Sequence, residues 1–312
     1  MTLLLNTSWE LDPWVERFRA LLPNRRIVTV EEPFERSEIR YAAVWGPKPG
    51  TLDALPNLKL LFSLGAGVDH LMNYPGLPDV PIVRVAQDDL TQRMSEYVVL
   101  HCLMYLRDQR RFDRQQREKI WKTEQDPPTA REVRVGVMGF GVLGQDAAHK
   151  LKIMGFDVAA WSRTPKHADG IQVFAGDELD AFLSRTDILV SLLPLTPDTH
   201  GILNRLVFEK LARDGRLGGP MLINAGRGGL QVEADILACL DDGTLKAATL
   251  DVFEKEPLPE GSPLWSHPNV TVTPHNSATS EPAMTARYIA EQILAYEAGG
   301  KPRAIVDKAR GY

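Results

Sequence analysis

The feature that most constrains this chain is a glycine turn set between a β-branched run and an amphipathic run, VRVGVMGFGVLGQDAAHKLKIMGFDVAAWSR over 133–163. Val133 to Val137 reads as a buried strand, and the spacing of Val142, Ala147, Leu151 and Met154 reads as a helix stopped at Gly155. Between them Gly139, Gly141 and Gly144 form a GxGxxG pattern. In a strand–turn–helix unit the first glycine permits the tight turn, the second lets backbone N–H groups approach a pyrophosphate, and the third lets the helix close on the strand. The helix start at Val142 and Leu143 then faces the negative charge. Glycine-rich loops are common, but one in this setting predicts a dinucleotide site.

The end of the next strand selects the dinucleotide. An NAD site carries an acid about 20 residues beyond the turn, to hold the ribose hydroxyls. Here Val158-Ala159-Ala160-Trp161 runs into Ser162-Arg163-Thr164, with Lys166 just beyond. A guanidinium offers phosphate a planar fork, and hydroxyls and an ammonium can add donors. Trp161, Ser162, Arg163, Thr164 and Lys166 are therefore expected around a 2′-phosphate, and the expected cofactor is NADP in preference to NAD. The alternative is an ordinary polar loop.

The 312 residues carry a net charge of −5 with 44% hydrophobic content, enough for two domains with their own cores. Basic residues are dispersed except in RDQRRFDRQQR at 107–117, where interleaved acids and amides suit a solvated helix face or a subunit contact better than a nucleic-acid surface. The apolar run Leu3-Leu4-Leu5 is too short for a signal or a span, so a cytoplasmic protein without membrane or nucleic-acid partners is expected. Cys102 and Cys239 read as small buried hydrophobes, and no metal is expected.

Residues 1 to 98 alternate short strands and helices, with a glycine turn, Leu64-Gly65-Ala66-Gly67, after one strand. Such alternation implies a parallel sheet covered on both faces. The turn's N–H groups could bind a carboxylate or simply join strand to helix. A long helix over 91–107 leads to the glycine turn at 139, and alternation resumes beyond Arg163 to complete a doubly wound sheet of about six strands. A last amphipathic helix, Pro282 to Glu297, suggests that the chain returns to its first domain. The expected boundaries are 1–98 with 283–312 for a discontinuous substrate domain, and 99–282 for the dinucleotide domain.

Ligands of such folds lie beyond the carboxyl ends of the strands. Three reactive side chains follow predicted strand ends: Arg227 after Ile223-Asn224-Ala225-Gly226, Glu256 after Leu250-Asp251-Val252-Phe253, and His275 after Thr273-Pro274. Singly, each could be a surface charge or a satisfied loop residue. Together they offer an acid–base imidazole, a carboxylate to orient it and a cationic anchor.

With GFGVLG at 139–144, LINAGRGG at 222–229, LDVFEKEP at 250–257, TPHNSAT at 273–279 and LGAGVDH at 64–70, the chain resembles the D-isomer-specific 2-hydroxyacid dehydrogenases over essentially its whole length. WSRT at 161–164 and SPLWSHPNVTVTPH at 262–275 resemble a bacterial branch acting on glyoxylate and hydroxypyruvate. The resemblance implies two Rossmann-like α/β domains, the substrate domain flavodoxin-like, and a homodimer. It implies NADPH-dependent reduction of glyoxylate to glycolate and of hydroxypyruvate to D-glycerate, with catalysis by Arg227, Glu256 and His275. Trp45, Leu64, Gly65, Ala66 and Gly67 are implied on the substrate side with Arg227 and His275. Leu193, Pro194, Thr199, Ala225, Arg227, Asp251 and His275 are implied along the cofactor, with a structural strand-end acid as the alternative for Asp251. Asn276-Ser277 departs from the small apolar residues usual after the histidine. The other class in view is a dinucleotide-sensing corepressor of the same fold with little turnover, against which stands the lack of long disordered tails.

Overall fold

The computed structural model describes residues 1–279 and 281–311. In chain order the elements are β1 (Thr2–Thr7), α1 (Asp12–Leu21), β2 (Arg26–Thr29), β3 (Ile39–Trp45), β4 (Leu60–Ser63), α2 (Asp69–Met72) and β5 (Ile82–Val83). They are followed by α3 (Asp88–Leu106), α4 (Gln109–Glu118), β6 (Arg134–Met138), α5 (Val142–Ile153), β7 (Asp157–Ser162), β8 (Gln172–Ala175), α6 (Leu179–Ser184) and β9 (Ile188–Ser191). The chain closes with α7 (Arg205–Glu209), β10 (Met221–Asn224), α8 (Glu233–Asp241), β11 (Ala247–Leu250), β12 (Val270–Val272) and α9 (Pro282–Glu297).

Two units emerge, Met1–Leu90 with Ser280–Tyr312, and Thr91–Thr279. The first holds a five-stranded parallel sheet in the order β2-β1-β3-β4-β5, the flavodoxin-like order. Strand alternation sends Leu3 and Leu5 into a core with Phe18 of α1 and Ile289 of α9, and Leu4 into a second core with Leu61 and Leu71. Strands buried on both faces must be apolar throughout, which is why TLLLN carries no polar alternation. The tail adds one antiparallel bridge, Ile305 to Val83, at the β5 edge.

The second unit holds a seven-stranded parallel sheet, β12-β11-β10-β9-β6-β7-β8. The strand beyond the expected six is β8, whose QVFA is too short and too polar at its start to read as buried. From β6 the order runs outward through β7 and β8, and from β9 outward the other way. Loops after β6 and β9 therefore diverge at a switch point, where ligands of such sheets bind.

The domain boundaries expected at 98 and 282 are corrected to Leu90 and Thr279. Met94, Val98 and Cys102 of α3 are core residues of the second unit, so the helix belongs to it almost from its first turn. At the return crossing Ala278 packs on the same core, whereas Ala286, Ile289 and Ile293 of α9 are buried in the first unit. Both cysteines are buried and unpaired. No helix among the described residues is long and apolar enough to cross a membrane.

Candidate active site

Because every strand of the second unit runs the same way, all its carboxyl ends share one rim. The glycine turn sits there between β6 and α5. Gly139 adopts φ +106°, and a Cβ on it would come within 2.8 Å of the Leu192 backbone. A Cβ on Gly144 would lie 1.9 Å from the Gly139 carbonyl oxygen, so this glycine sets the close approach of helix to turn. Gly141 differs: a Cβ there would meet nothing within 4 Å. Its position at the mouth of a 12-residue helix, with Val142 exposed beside it, leaves the open space a pyrophosphate needs.

The loop after β7 divides into two kinds of residue. Ser162 is buried and donates to the Thr164 carbonyl at 2.7 Å, and Trp161 Nε1 donates to the Gly176 carbonyl at 3.1 Å, so both shape the loop. Arg163 and Thr164 are exposed. Lys166 reaches back 2.6 Å to the Phe140 carbonyl of the glycine turn, and partial burial lowers its pKa. A cation is thus fixed at the turn and no acid follows β7, a donor set that fits a phosphorylated ribose. Farther along the rim Leu193 is buried, and Thr199 donates to the Pro194 carbonyl at 2.7 Å, which makes it a loop-former.

The backbone ladder continues past the strand ends, from Ala225 N–H to Ser191 O and from Asp251 N–H to Asn224 O. This staircase sets the reactive side chains at one level. Asn224, fully buried, accepts from the Gly226 N–H and donates to the Arg227 carbonyl and to Gln231, whose amide donates to the Val252 carbonyl. Arg227 Nη1 donates to the Gly226 carbonyl at 2.7 Å. A Cβ on Gly228 would lie 1.8 Å from the Phe253 carbonyl oxygen, so only glycine lets the arginine loop lie this close to the glutamate loop.

Glu256 accepts from the Phe253 N–H at 3.0 Å and from His275 Nδ1 at 2.7 Å. Partial burial pushes its carboxyl upward, but the hydrogen bonds from His275 and Phe253, and the charges of His275 and Arg227, outweigh this and hold it below the ordinary carboxylate value. An ionised carboxylate can only accept, so Nδ1 of His275 carries the proton of that bond and Nε2 is the ring nitrogen not engaged by Glu256. Arg227, Glu256 and His275, distant in sequence, are thus brought together on one rim.

Asp251 has no exposed surface. Its carboxylate accepts from Thr273 Oγ1 at 2.6 Å and from the N–H groups of Asn276 and Ser277, both at 3.0 Å. This is the structural alternative for Asp251, and it holds Asn276 and Ser277 through their backbone. Sequence reasoning missed Asn224, Gln231 and Tyr97, the last of which bonds Thr273 at 2.8 Å. The signal for Tyr97 was its spacing with His101 and Tyr105, an i, i+4, i+8 stripe of polar-tipped rings on α3.

In the first unit Trp45 ends β3, stacked on Trp9 at 5.4 Å and tilted against His70 at 4.5 Å. A Cβ on Gly65 would strike the Trp45 ring at 2.5 Å, so the turn is fitted to that ring. Ser63 Oγ donates to the Gly67 carbonyl, and the N–H groups of Ala66 and Gly67 make no backbone hydrogen bond among the described residues. Leu64 is corrected: its side chain has no exposed surface and lies in the core, because the residue directly continues β4, so it presents nothing to a substrate.

The pattern of the D-isomer specific 2-hydroxyacid dehydrogenase NAD binding domain matches residues 99–277, and the chain belongs to the D-isomer specific 2-hydroxyacid dehydrogenase family. Among its relatives, the glyoxylate/hydroxypyruvate reductase A of Yersinia enterocolitica is 40% identical over 314 residues, 97% of each chain. The NADPH-dependent glyoxylate/hydroxypyruvate reductase of Sinorhizobium meliloti, solved in complex with NADP and sulfate, is 47% identical with a TM-score of 0.94, covering 100% of this chain and 99% of that one. A probable 2-hydroxyacid dehydrogenase of Rhizobium etli, in complex with NADP, HEPES and L(+)-tartaric acid, is 46% identical with a TM-score of 0.95 over the same shares.

Proposed function

We propose that this protein reduces small 2-oxo acids with NADPH, taking glyoxylate to glycolate and hydroxypyruvate to D-glycerate. The observation that carries the reading is the 2.7 Å contact between His275 and Glu256, with the charge of Arg227 acting on the same carboxylate. NADPH, when bound, supplies the hydride to the carbonyl carbon. The protonated imidazole of His275 gives its Nε2 proton to the carbonyl oxygen, so that hydride and proton together convert C=O to CH–OH. Glu256 stays ionised, fixes the ring through Nδ1 and stabilises its positive charge. Arg227 holds the substrate carboxylate with paired donors. In the first unit, the N–H groups of Ala66 and Gly67 are assigned to a carboxylate, with Trp45 and Gly65 shaping the turn that carries them.

For the cofactor, Gly139, Gly141 and Gly144 with the α5 start at Val142 and Leu143 receive the pyrophosphate. Arg163, Thr164 and Lys166 receive the 2′-phosphate, on a loop shaped by Trp161 and Ser162. The segment Leu193-Pro194 with Thr199, and Ala225, flank the path towards the nicotinamide. Asp251 serves the cofactor only indirectly, by organising the His275 turn. We assign a cytoplasmic location and a homodimer to the enzyme. Support for the dimer comes from α4 and the segment after it, where Phe112, Ile120 and Trp121 stand exposed along a groove of about 790 Å³.

The test is purified protein with NADPH and a panel of glyoxylate, hydroxypyruvate, pyruvate and phenylpyruvate. Rapid NADPH consumption with the first two is expected. Tight NADPH binding without turnover on any of the four would refute the reductase reading and favour a dinucleotide sensor.

A further inference from the structure

His275 adopts φ +52°, the left-handed region that an L-residue enters only when its surroundings impose it. Three hydrogen bonds impose it from one residue. The His275 N–H donates to the Asp251 carbonyl at 2.8 Å, and the N–H groups of Asn276 and Ser277 donate to the Asp251 carboxylate. Thr273 Oγ1, just ahead of the turn, donates to the same carboxylate at 2.6 Å. That commits the Thr273 proton, so the 2.8 Å contact between Thr273 Oγ1 and the Tyr97 hydroxyl has Tyr97 as its donor.

We propose that Tyr97 is a positioning residue for His275, acting through the Thr273 hydroxyl and the Asp251 carboxylate to hold the imidazole at the angle that proton transfer requires. The proposal rests on the reductase reading for its kinetic consequence. Tyr97 is suited to the task because its neighbour Val98, and Cys102 one turn on, are core residues, so α3 is a fixed support. Burial pushes the phenol upward, so it remains a donor at any working pH. The His101 ring lies against Tyr97 at 4.3 Å, and burial lowers that imidazole to about 4, so it supports the phenol as a neutral ring. Loss of the phenol frees the second lone pair of Thr273, whose hydroxyl can then rotate away from Asp251. The turn loses the constraint that sets the imidazole.

Three variants test this: Tyr97→Phe, Thr273→Val and Thr273→Ser. Tyr97→Phe and Thr273→Val are expected to lower kcat about tenfold, since small misplacements of a reacting group are costly, with KM for NADPH and the melting temperature little changed. Thr273→Ser, which keeps the hydroxyl, is expected to retain most of kcat. Amide hydrogen exchange at Asn276 and Ser277 is expected to quicken in the first two variants and not in the third. The proposal is overturned if kcat and exchange stay at wild-type levels in Tyr97→Phe. It is equally overturned if the loss appears in NADPH affinity and melting alike and Thr273→Ser does not escape it. Exchange needs no substrate, so a wild-type protein without turnover defeats the reductase reading while the exchange comparison still decides the role of Tyr97.

Discussion

At the scale of single residues, Glu256 makes the clearest physical statement. Its carboxyl is held below an ordinary value of 4.5 because the folded state offers it His275, the Phe253 N–H and the charge of Arg227. The folded state therefore favours the ionised form, and the resulting stabilisation is complete above pH 4.5 and disappears as pH falls through the lower folded value. Glu256→Gln cannot titrate. The difference in melting temperature between wild type and this variant is expected to be largest near neutral pH and to shrink below pH 4.5, as read by thermal melts across pH. His275→Ala removes the proposed proton donor, and kcat is expected to fall about 100- to 10,000-fold with NADPH affinity kept, as read by steady-state kinetics and fluorescence titration. Arg163→Asp replaces the proposed partner of the 2′-phosphate with a charge of the phosphate's own sign, and the NADPH to NADH ratio of kcat/KM is expected to fall about tenfold to a hundredfold.

At the scale of elements, the rim is assembled by loops that nearly touch. Gly228→Ala would drive a methyl into the Phe253 carbonyl oxygen, 1.8 Å away before relaxation, and the two loops must separate. The expected cost is about 1–3 kcal/mol in unfolding stability, with kcat falling more than the KM for NADPH changes. Much of this was legible in the sequence. Strands end where turn residues begin, so Arg227, Glu256 and His275 could be placed past strand ends from pattern alone. The supports were not legible, because Asn224 with Gln231, and Tyr97 with Thr273, are pairings across long sequence separations that no local periodicity records. Leu64 was misassigned for a related reason: adjacency to a glycine turn does not say which way a strand-end side chain points. The β8 strand was missed because QVFA offers only two apolar residues before its final alanine.

For the whole molecule, the domain boundaries were misplaced because a helix carries no mark of which core it serves. Met94 and Val98 looked like any apolar stripe, and only packing assigns them to the second unit. The exposed apolar face is the other whole-molecule feature. Trp121 is 96% exposed, an unusual position for an indole that nothing covers. Sedimentation is expected to give twice the 34.8 kDa of one chain, and Trp121→Ser to shift the balance towards the single-chain mass. A wild-type mass of 34.8 kDa at micromolar concentration would refute the dimer.

The glycine turn, the loop proposed for the 2′-phosphate and the Arg227, Glu256 and His275 group all fall within Thr91–Thr279. Heredity can therefore treat the two portions of this chain differently. On the proposed reading, changes confined to residues 1–90 or 280–312 are expected to leave coenzyme choice and proton delivery intact. Hybrids that borrow those outer segments from a relative should inherit the donor's appetite for acids and keep the recipient's coenzyme.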